Sequence, residues 1–328
     1  MTVPAHTTGP DTTLDASAMV GAVAAAPPSG WRRLVHRLSG GRVNPGESTG
    51  QSEERAVQER ILTPLRGDYR IAVLSLKGGV GKTTTTVTLG GMFASQRGDR
   101  VIAVDANPDL GTLADRVVDQ AADPSDPLHA TPTVRDLLEL PDASRYPQVR
   151  SCTSQAASRL EVIGSDRDPA VSEAFSESDY RRAVDVLQHH YNIILTDCGT
   201  GLMHSAMTGV LDLAHMLVLV TSPALDGARS AEATLDWLDH HGHGDLVANA
   251  VVVVSGAHPG QAAVDPDVLT SHFAARTRAV RGIPFDRHLS EGGVVDLDRL
   301  TPATFRAYRE LAATVAEDFG SWHRHAAV

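Results

Sequence analysis

The sequence predicts an α/β domain built on a doubly wound, mostly parallel sheet, preceded by a disordered N-terminal arm. Three observations predict it. Short runs rich in Val, Ile and Leu alternate with helix-compatible stretches along most of the chain, the order a parallel sheet requires. Aromatic residues make up only 4% of a chain that is 42% hydrophobic, so the core must be aliphatic, as buried parallel strands are. A glycine-rich turn near residue 80 sits between one apolar run and one helix-like segment. The 328 residues suffice for one large or two small domains, and the unbroken alternation points to one.

Taken in order, residues 1–30 are mostly Thr, Ala, Pro, Gly and Ser and offer little to bury, so they are expected to be disordered. In 31–38, Trp31, Leu34, Val35 and Leu38 recur at helical spacing, with Arg32, Arg33 and Arg37 between them. Such a short basic amphipathic helix suits a membrane surface, a partner groove, or docking on its own catalytic domain. Those readings stay open, since a helix of this length is marginal alone. A Gly/Asn/Pro/Ser linker covers 40–52, and 53–62 is charged and helix-compatible up to Thr63-Pro64. The expected division is therefore an arm over 1–66, a folded domain over 67–320 and a flexible tail over 321–328.

Strands are expected over 70–74, 100–104, 160–163, 192–196, 216–220, 251–255 and 279–283, with helices between them. Tyr180, Ala183, Val184 and Leu187 form one apolar helical stripe; Ala231, Leu235 and Leu238 form another. The last helix, over 303–319, should face Phe305, Tyr308, Leu311 and Val315 inward. The Asp/Pro-rich stretch 112–132 reads as a long surface loop.

Charge and cysteine content exclude several classes. A net charge of −11 argues against general attraction to nucleic acid. Arg299, Arg306 and Arg309 are interleaved with Asp296, Asp298 and Glu310, a mixed solvated face. Two cysteines, Cys152 and Cys198, make no disulfide framework and fit a reduced, cytoplasmic setting. No apolar run is long enough to span a bilayer, and no secretory leader is expected. Peripheral membrane contact, if any, falls to 31–38. His240, His241 and His243, and His323 and His325 near the C-terminus, lack the Cys or carboxylate partners of a metal site and read as solvated.

The chemistry concentrates in Lys77-Gly78-Gly79-Val80-Gly81-Lys82-Thr83-Thr84, between the run 69–76 and the helix-like run 83–96. Strand, glycine-rich turn and helix are the context of a phosphate-binding loop. The glycines let successive backbone N–H groups converge on phosphate oxygens, and the helix adds the positive end of its dipole. Lys82 supplies charge for the β- and γ-phosphates, and the Thr83 hydroxyl suits Mg²⁺. A second piece is Ile193-Ile194-Leu195-Thr196-Asp197, an apolar strand ending in a carboxylate that can hold a Mg²⁺ water beside the phosphates. Gly199-Thr200-Gly201 follows as a turn able to sense the γ-phosphate, and Cys198 reads as a small buried residue.

The usual first glycine of such a loop would fall at Leu76, and a lysine, Lys77, follows it instead. This form resembles the deviant Walker A loop of the ParA/MinD family of P-loop ATPases. The resemblance covers most of the chain, from residue 70 to 319. It implies an ATP-dependent homodimer in which Lys77 reaches the partner's phosphates. It also implies that Gly78 through Thr84 bind the nucleotide and that Thr83, Asp105 and Asp197 organise Mg²⁺ and water. In the family a D-x-D follows the next strand; Asp105 matches its first acid, but Asn107 stands at the second, and Asp109 lies two residues beyond. Asn107 can position water but cannot accept a proton, so the implied turnover is slow.

Ser255 and Pro284 fall where the family meets adenine, and Leu217 to Pro223 looks like its turn after the Asp197 strand. The tail at 319–322 lacks the basic helix with which MinD anchors to membranes. With the flank added (30–38, 40–44 and 63–67), the chain resembles the EspI-like ATPases encoded with actinobacterial ESX (type VII) secretion systems. That implies a nucleotide-dependent dimerisation switch regulating such a system, with a secretion component or substrate as partner. Two alternatives stand beside it: an ATPase that positions DNA or other cargo, and a nucleotide-sensing scaffold with little hydrolysis.

Overall fold

A computed structural model describes residues 38–39, 48–107, 111–118, 131–166, 168, 172, 174–256 and 264–320. All of 1–37, and with it the expected helix 31–38 apart from Leu38, and the tail 321–328 lie outside the described residues. The chain divides into a unit of 1–56 and a unit of 57–328. In the first unit, Ser48 and Gln51 cap each other: the Ser48 N–H donates to Gln51 Oε1 at 3.1 Å and the Gln51 N–H to Ser48 Oγ at 3.3 Å.

The second unit is an eight-stranded sheet. Its strands are β1 (Tyr69–Leu74), β2 (Val101–Ala106), β3 (Ser154–Gln155), β4 (Glu161–Ile163), β5 (Ile193–Cys198), β6 (Met216–Thr221), β7 (Val251–Ser255) and β8 (Ala279–Ile283). They lie in the order β3-β4-β2-β5-β1-β6-β7-β8. Every pairing is parallel except β3 with β4. All seven expected strands are present within two residues of their expected ends, the usual slack of such boundaries. The unexpected one, β3, is two residues long and too short to carry an apolar pattern.

Among the described residues, these helices accompany the strands: α1 (Thr49–Ile61), α2 (Lys82–Gln96), α3 (Val134–Leu138), α4 (Tyr146–Arg150), α5 (Glu177–Leu187), α6 (Ser205–Leu213), α7 (Leu225–His240), α8 (Gly244–Ala248), α9 (Pro266–Ala274), α10 (Arg287–Ser290) and α11 (Pro302–Ala316). Their starts are written locally. Ser176 and Asp179 form a capping box on α5, and Thr301 caps α11 with Pro302 at its first position.

The strands are buried on both faces, and alternate residues serve different layers. Ile71 and Val73 of β1 pack with Val87 and Met92 of α2 and Leu311 and Val315 of α11. Ala72 and Leu74 face Tyr180, Val210 and Leu235, from α5, α6 and α7. Toward the β4 edge, Ile102, Val104 and Ile194 meet Leu137 of α3 and Leu187 of α5. The three helical stripes read from the sequence are therefore core faces, with Phe305 only partly buried.

Val57 and Ile61 of α1 are buried in the same core, ahead of Gly67. The charged stretch read as preceding the domain thus contributes core residues to it. Arg60 reaches Glu310 at 2.7 Å and Glu317 at 2.9 Å. The buried Arg97 guanidinium, just past α2, donates to the carbonyls of Ile61 and Thr63. These contacts join residues far apart in sequence, which no local pattern announces. In the stretch expected as a loop over 112–132, Ala114–Arg116 forms a turn of 3₁₀ helix, and 119–130 lie outside the described residues.

At the opposite end of the sheet from the glycine-rich loop, His215 is wedged between β1 and β6. Its Nδ1 accepts the Arg70 backbone N–H at 3.1 Å, and its ring meets the edge of Tyr69. Burial, then the Arg70 charge, pull the imidazole down to about 3. The unfolded chain takes up this proton below its ordinary value of 6.5, while the folded chain does not until near 3. Stability should therefore fall as pH drops through that window, by roughly 2 kcal/mol from this group at pH 5. Urea unfolding of wild type and His215→Gln at pH 7 and pH 5 checks it. The variant should lose less stability between the two; equal losses would refute the assignment.

Candidate functional site

β1 is central in the sheet, and the loop after it lies at the carboxyl edge, where open α/β sheets form their binding crevice. Gly79 and Gly81 hold φ of +74° and +91°, backbone angles that side chains disfavour, and Gly81 caps α2. Ser75 steadies the start of the turn: its Oγ accepts the Lys77 N–H at 3.2 Å and donates to the Lys77 carbonyl at 2.9 Å. Thr86 and Thr88 return their hydroxyls to carbonyls four residues back, which lets a threonine-rich helix be buried. Gly90 permits the close packing of α2, since a Cβ there would sit 2.9 Å from Leu160 Cδ1.

Asp197, at the end of β5 and 1% exposed, is the focus of the site. Lys82 Nζ donates to its Oδ1 at 2.7 Å, Thr83 Oγ to its Oδ2 at 2.7 Å, and Thr86 Oγ to Oδ1 at 3.2 Å. Asp105 of β2 is its register partner on the neighbouring strand. The Asn107 N–H donates to Asp105 Oδ1 at 3.1 Å and the Leu113 N–H to Oδ2 at 3.2 Å. Burial first, and the Asp197 charge second, push the Asp105 carboxyl up to about 7, against those two N–H bonds and Lys82. Gly111 lies directly over this carboxylate, and a Cβ built there would collide with it. Burial also raises the Cys198 thiol, which stays protonated.

A cleft of about 690 Å³ opens above these groups. Lys77 through Thr84, Asn107, Ser255 and Pro284 all line it. Ser255 touches the loop itself, its Oγ 3.1 Å from where a Cβ on Gly81 would lie. Asp105 and Asp197 are not on the cleft wall but buried beneath it. Asp109 lies outside the described residues. Asp286 is a clip: its carboxylate takes the N–H groups of His288 at 3.0 Å and Thr301 at 2.9 Å. Burial works to raise its pKa, but those bonds hold it below the usual carboxylate range.

Sequence reasoning missed three contributors. Asp226, at the start of α7, pairs with Lys77 at 2.5 Å on the surface. Gly111 shapes the Asp105 loop, and Arg116 lines the cleft from the 3₁₀ turn. No signature marks them, because each earns its place through a contact across the fold. Arg299 and Arg309, read as part of a mixed surface, bond to Glu291 and to Gln58 and Gln96 respectively. Among the described residues no helix is long and apolar enough to cross a membrane.

A glycine nest at a helix start, a lysine and threonine converging on a strand-end carboxylate, and an extra lysine at the loop's entrance define a P-loop nucleotide-binding protein of the deviant Walker A class. The chain belongs to the family described as the CobQ/CobB/MinD/ParA nucleotide binding domain, which it matches over residues 71–301. It is 38% identical over 292 residues to the ESX-1 secretion-associated protein EspI of Mycobacterium tuberculosis. That alignment covers 88% of this chain and 42% of EspI, so the chain spans less than half the length of that relative.

Two solved structures share the fold. The ParA family ATPase of Chlorobium tepidum superposes with a TM-score of 0.62 at 16% identity, over 75% of this chain and 98% of that one. The septum site-determining protein MinD of Pyrococcus horikoshii, complexed with Mg-ADP, gives 0.57 at 22% identity, over 75% and 94%.

Proposed function

We propose that this chain binds Mg·ATP and acts as a nucleotide-dependent dimerisation switch that regulates a type VII secretion system. The observation that carries the nucleotide reading is the convergence of Lys82 and Thr83 on Asp197 at the foot of the glycine loop. The fit to a hard cation is good: Thr83 Oγ and Asp197 Oδ2 are both oxygen donors, 2.7 Å apart. When nucleotide enters, Lys82 exchanges Asp197 for phosphate oxygens. Thr83 and Asp197 would hold Mg²⁺, which would supply neutralisation of phosphate charge. The backbone N–H groups from Gly78 to Thr84 cradle the phosphates, and Ser255 and Pro284 flank the base. Asp105 anchors the loop that carries Asn107, which orients water without taking its proton. Turnover is therefore slow. The 38% identity to EspI supports the secretion context.

Lys77 serves the partner's site. In the single chain it is held by Asp226, and both side chains are partly exposed, 39% and 67%. Solvent screens a surface pair of this kind and leaves it little net stability, so its release is easy. Light scattering after size exclusion tests the switch: mass should double with Mg·ATP and not with Mg·ADP. Lys77→Ala should bind ATP yet stay monomeric, and Asp226→Ala should dimerise at least as readily as wild type. An unchanged mass in saturating Mg·ATP would remove the switch. Asn107 favours a second reading, a nucleotide-sensing scaffold. Steady-state phosphate release separates the two, since a scaffold dimerises without turnover.

A further inference from the structure

Three cations line the cleft, and two are already matched. Lys77 pairs with Asp226 and Lys82 with Asp197. The third, Arg116, has no ion pair among the described residues, and its buried Nη1 has no hydrogen-bond partner. A desolvated guanidinium N–H left without an acceptor is costly, and native proteins keep few such groups without reason. Burial disfavours the charge here, while Asp115 and Asp197 favour it, so Arg116 feels the same carboxylate that Lys82 and Thr83 grip.

The backbone of Arg116 is held in place. Its own carbonyl accepts the Val295 N–H at 2.9 Å, which clips the 3₁₀ turn to the loop after α10. Gly292 in that loop, at φ +78°, leaves room: a Cβ there would stand 3.9 Å from Arg116 Nη1 and 4.0 Å from Nη2. The guanidinium is thus backed by glycine on one side and open to the cleft on the other, together with Thr84, Asn107 and Ser290.

We propose that Arg116 is a phosphate ligand of the bound nucleotide, supplied by the same chain from the segment after β2. This rests on the reading of the cleft as a Mg·ATP site. Arg116 meets the incoming polyphosphate before Lys82 leaves Asp197, because of the three cleft cations it is the one with no ion pair to break among the described residues. Its planar fork then donates to phosphate oxygen as arginine characteristically does. It also ties nucleotide occupancy to the 3₁₀ turn and, through Leu113, to the Asp105 loop.

Calorimetry with Mg·ATP on wild type, Arg116→Ala, Arg116→Gln and Lys82→Ala tests it, with thermal melting of each nucleotide-free protein. Arg116→Ala and Arg116→Gln should bind ATP at least tenfold more weakly while melting within a few degrees of wild type. Arg116→Lys, which keeps charge but not the fork, should recover part of the loss. If wild type binds and the arginine variants match it, Arg116 is not a ligand, whatever Lys82→Ala does. If Arg116→Ala melts early, the glutamine and lysine variants decide: equal affinity in both overturns the assignment. If wild type itself binds no Mg·ATP, the reading of the cleft falls, and the assignment with it.

Discussion

Lys82→Ala should sharply weaken Mg·ATP binding and also destabilise the nucleotide-free protein. The two losses have different causes. Lys82 is the charged donor nearest the carboxylate that must release it, and a charged hydrogen bond to phosphate contributes about 1.5–3 kcal/mol. With the lost attraction to a second phosphate oxygen, affinity should drop on the order of a hundredfold. Independently, the variant strands Asp197, which is buried and, among the described residues, left with Thr83 and Thr86 as side-chain donors. Removing one partner of a buried pair costs about 3–5 kcal/mol. Denaturant unfolding should show a loss near the lower end, because the threonines still compensate part of the charge. Thr83→Ala separates the effects. Its hydroxyl is a donor to Asp197 but not its charge partner, so stability should change by about 1 kcal/mol. Magnesium should then no longer improve nucleotide affinity. A Lys82→Ala protein of wild-type stability would mean that the pair with Asp197 is not formed in solution.

Gly111→Ala should be nearly as damaging, although nothing in the residue's type suggests it. A methyl group at this position would occupy the space of the Asp105 carboxylate. Asp105 cannot yield, because it is 2% exposed and held by the N–H groups of Asn107 and Leu113. The loop must move instead, with loss of those bonds and of the Gly111 N–H bond to Ser165 Oγ at 3.0 Å. Overpacking costs about 1–3 kcal/mol, and each lost bond to the carboxylate adds to it. A total of roughly 3 kcal/mol is expected by urea unfolding. Phosphate release should suffer as well, since Asn107 rides on the same loop. Gly78→Ala is the control: a Cβ there meets nothing within 4 Å, and stability should be nearly unchanged. Equal effects at the two positions would contradict the packing of the Asp105 loop.

Much of this protein was legible from its residues in order. The strands β1, β2, β4, β5, β6, β7 and β8 are aliphatic runs whose burial on both faces is itself a composition signal. The loop from Lys77 to Thr84 needs only local context, because its chemistry comes from backbone N–H groups and adjacent side chains. Asp197 was legible for the same reason, being the polar residue at the end of an apolar run. Ser255 and Pro284, singled out by resemblance alone, line the cleft.

Other features had no local signal. Helix α1 reads as charged and helix-compatible, yet two of its residues are core, because Arg97 and Arg60 bind it to segments far along the chain. Arg116 and Asp226 are ordinary surface residue types; only folding sets one in the cleft and the other against Lys77.

The sequence by itself determined the parallel α/β class, the glycine nest, the strand-end carboxylate and the lysine that distinguishes the family. These depend on periodicity and on neighbours a few residues apart. The tertiary structure alone decided that Lys82 and Thr83 both grip Asp197, that Asp105 lies under Gly111, and which cation keeps an unmatched donor. Those facts depend on the distance between atoms more than a hundred residues apart in some cases and on the solvent excluded around them, quantities that exist only once the chain has closed on itself.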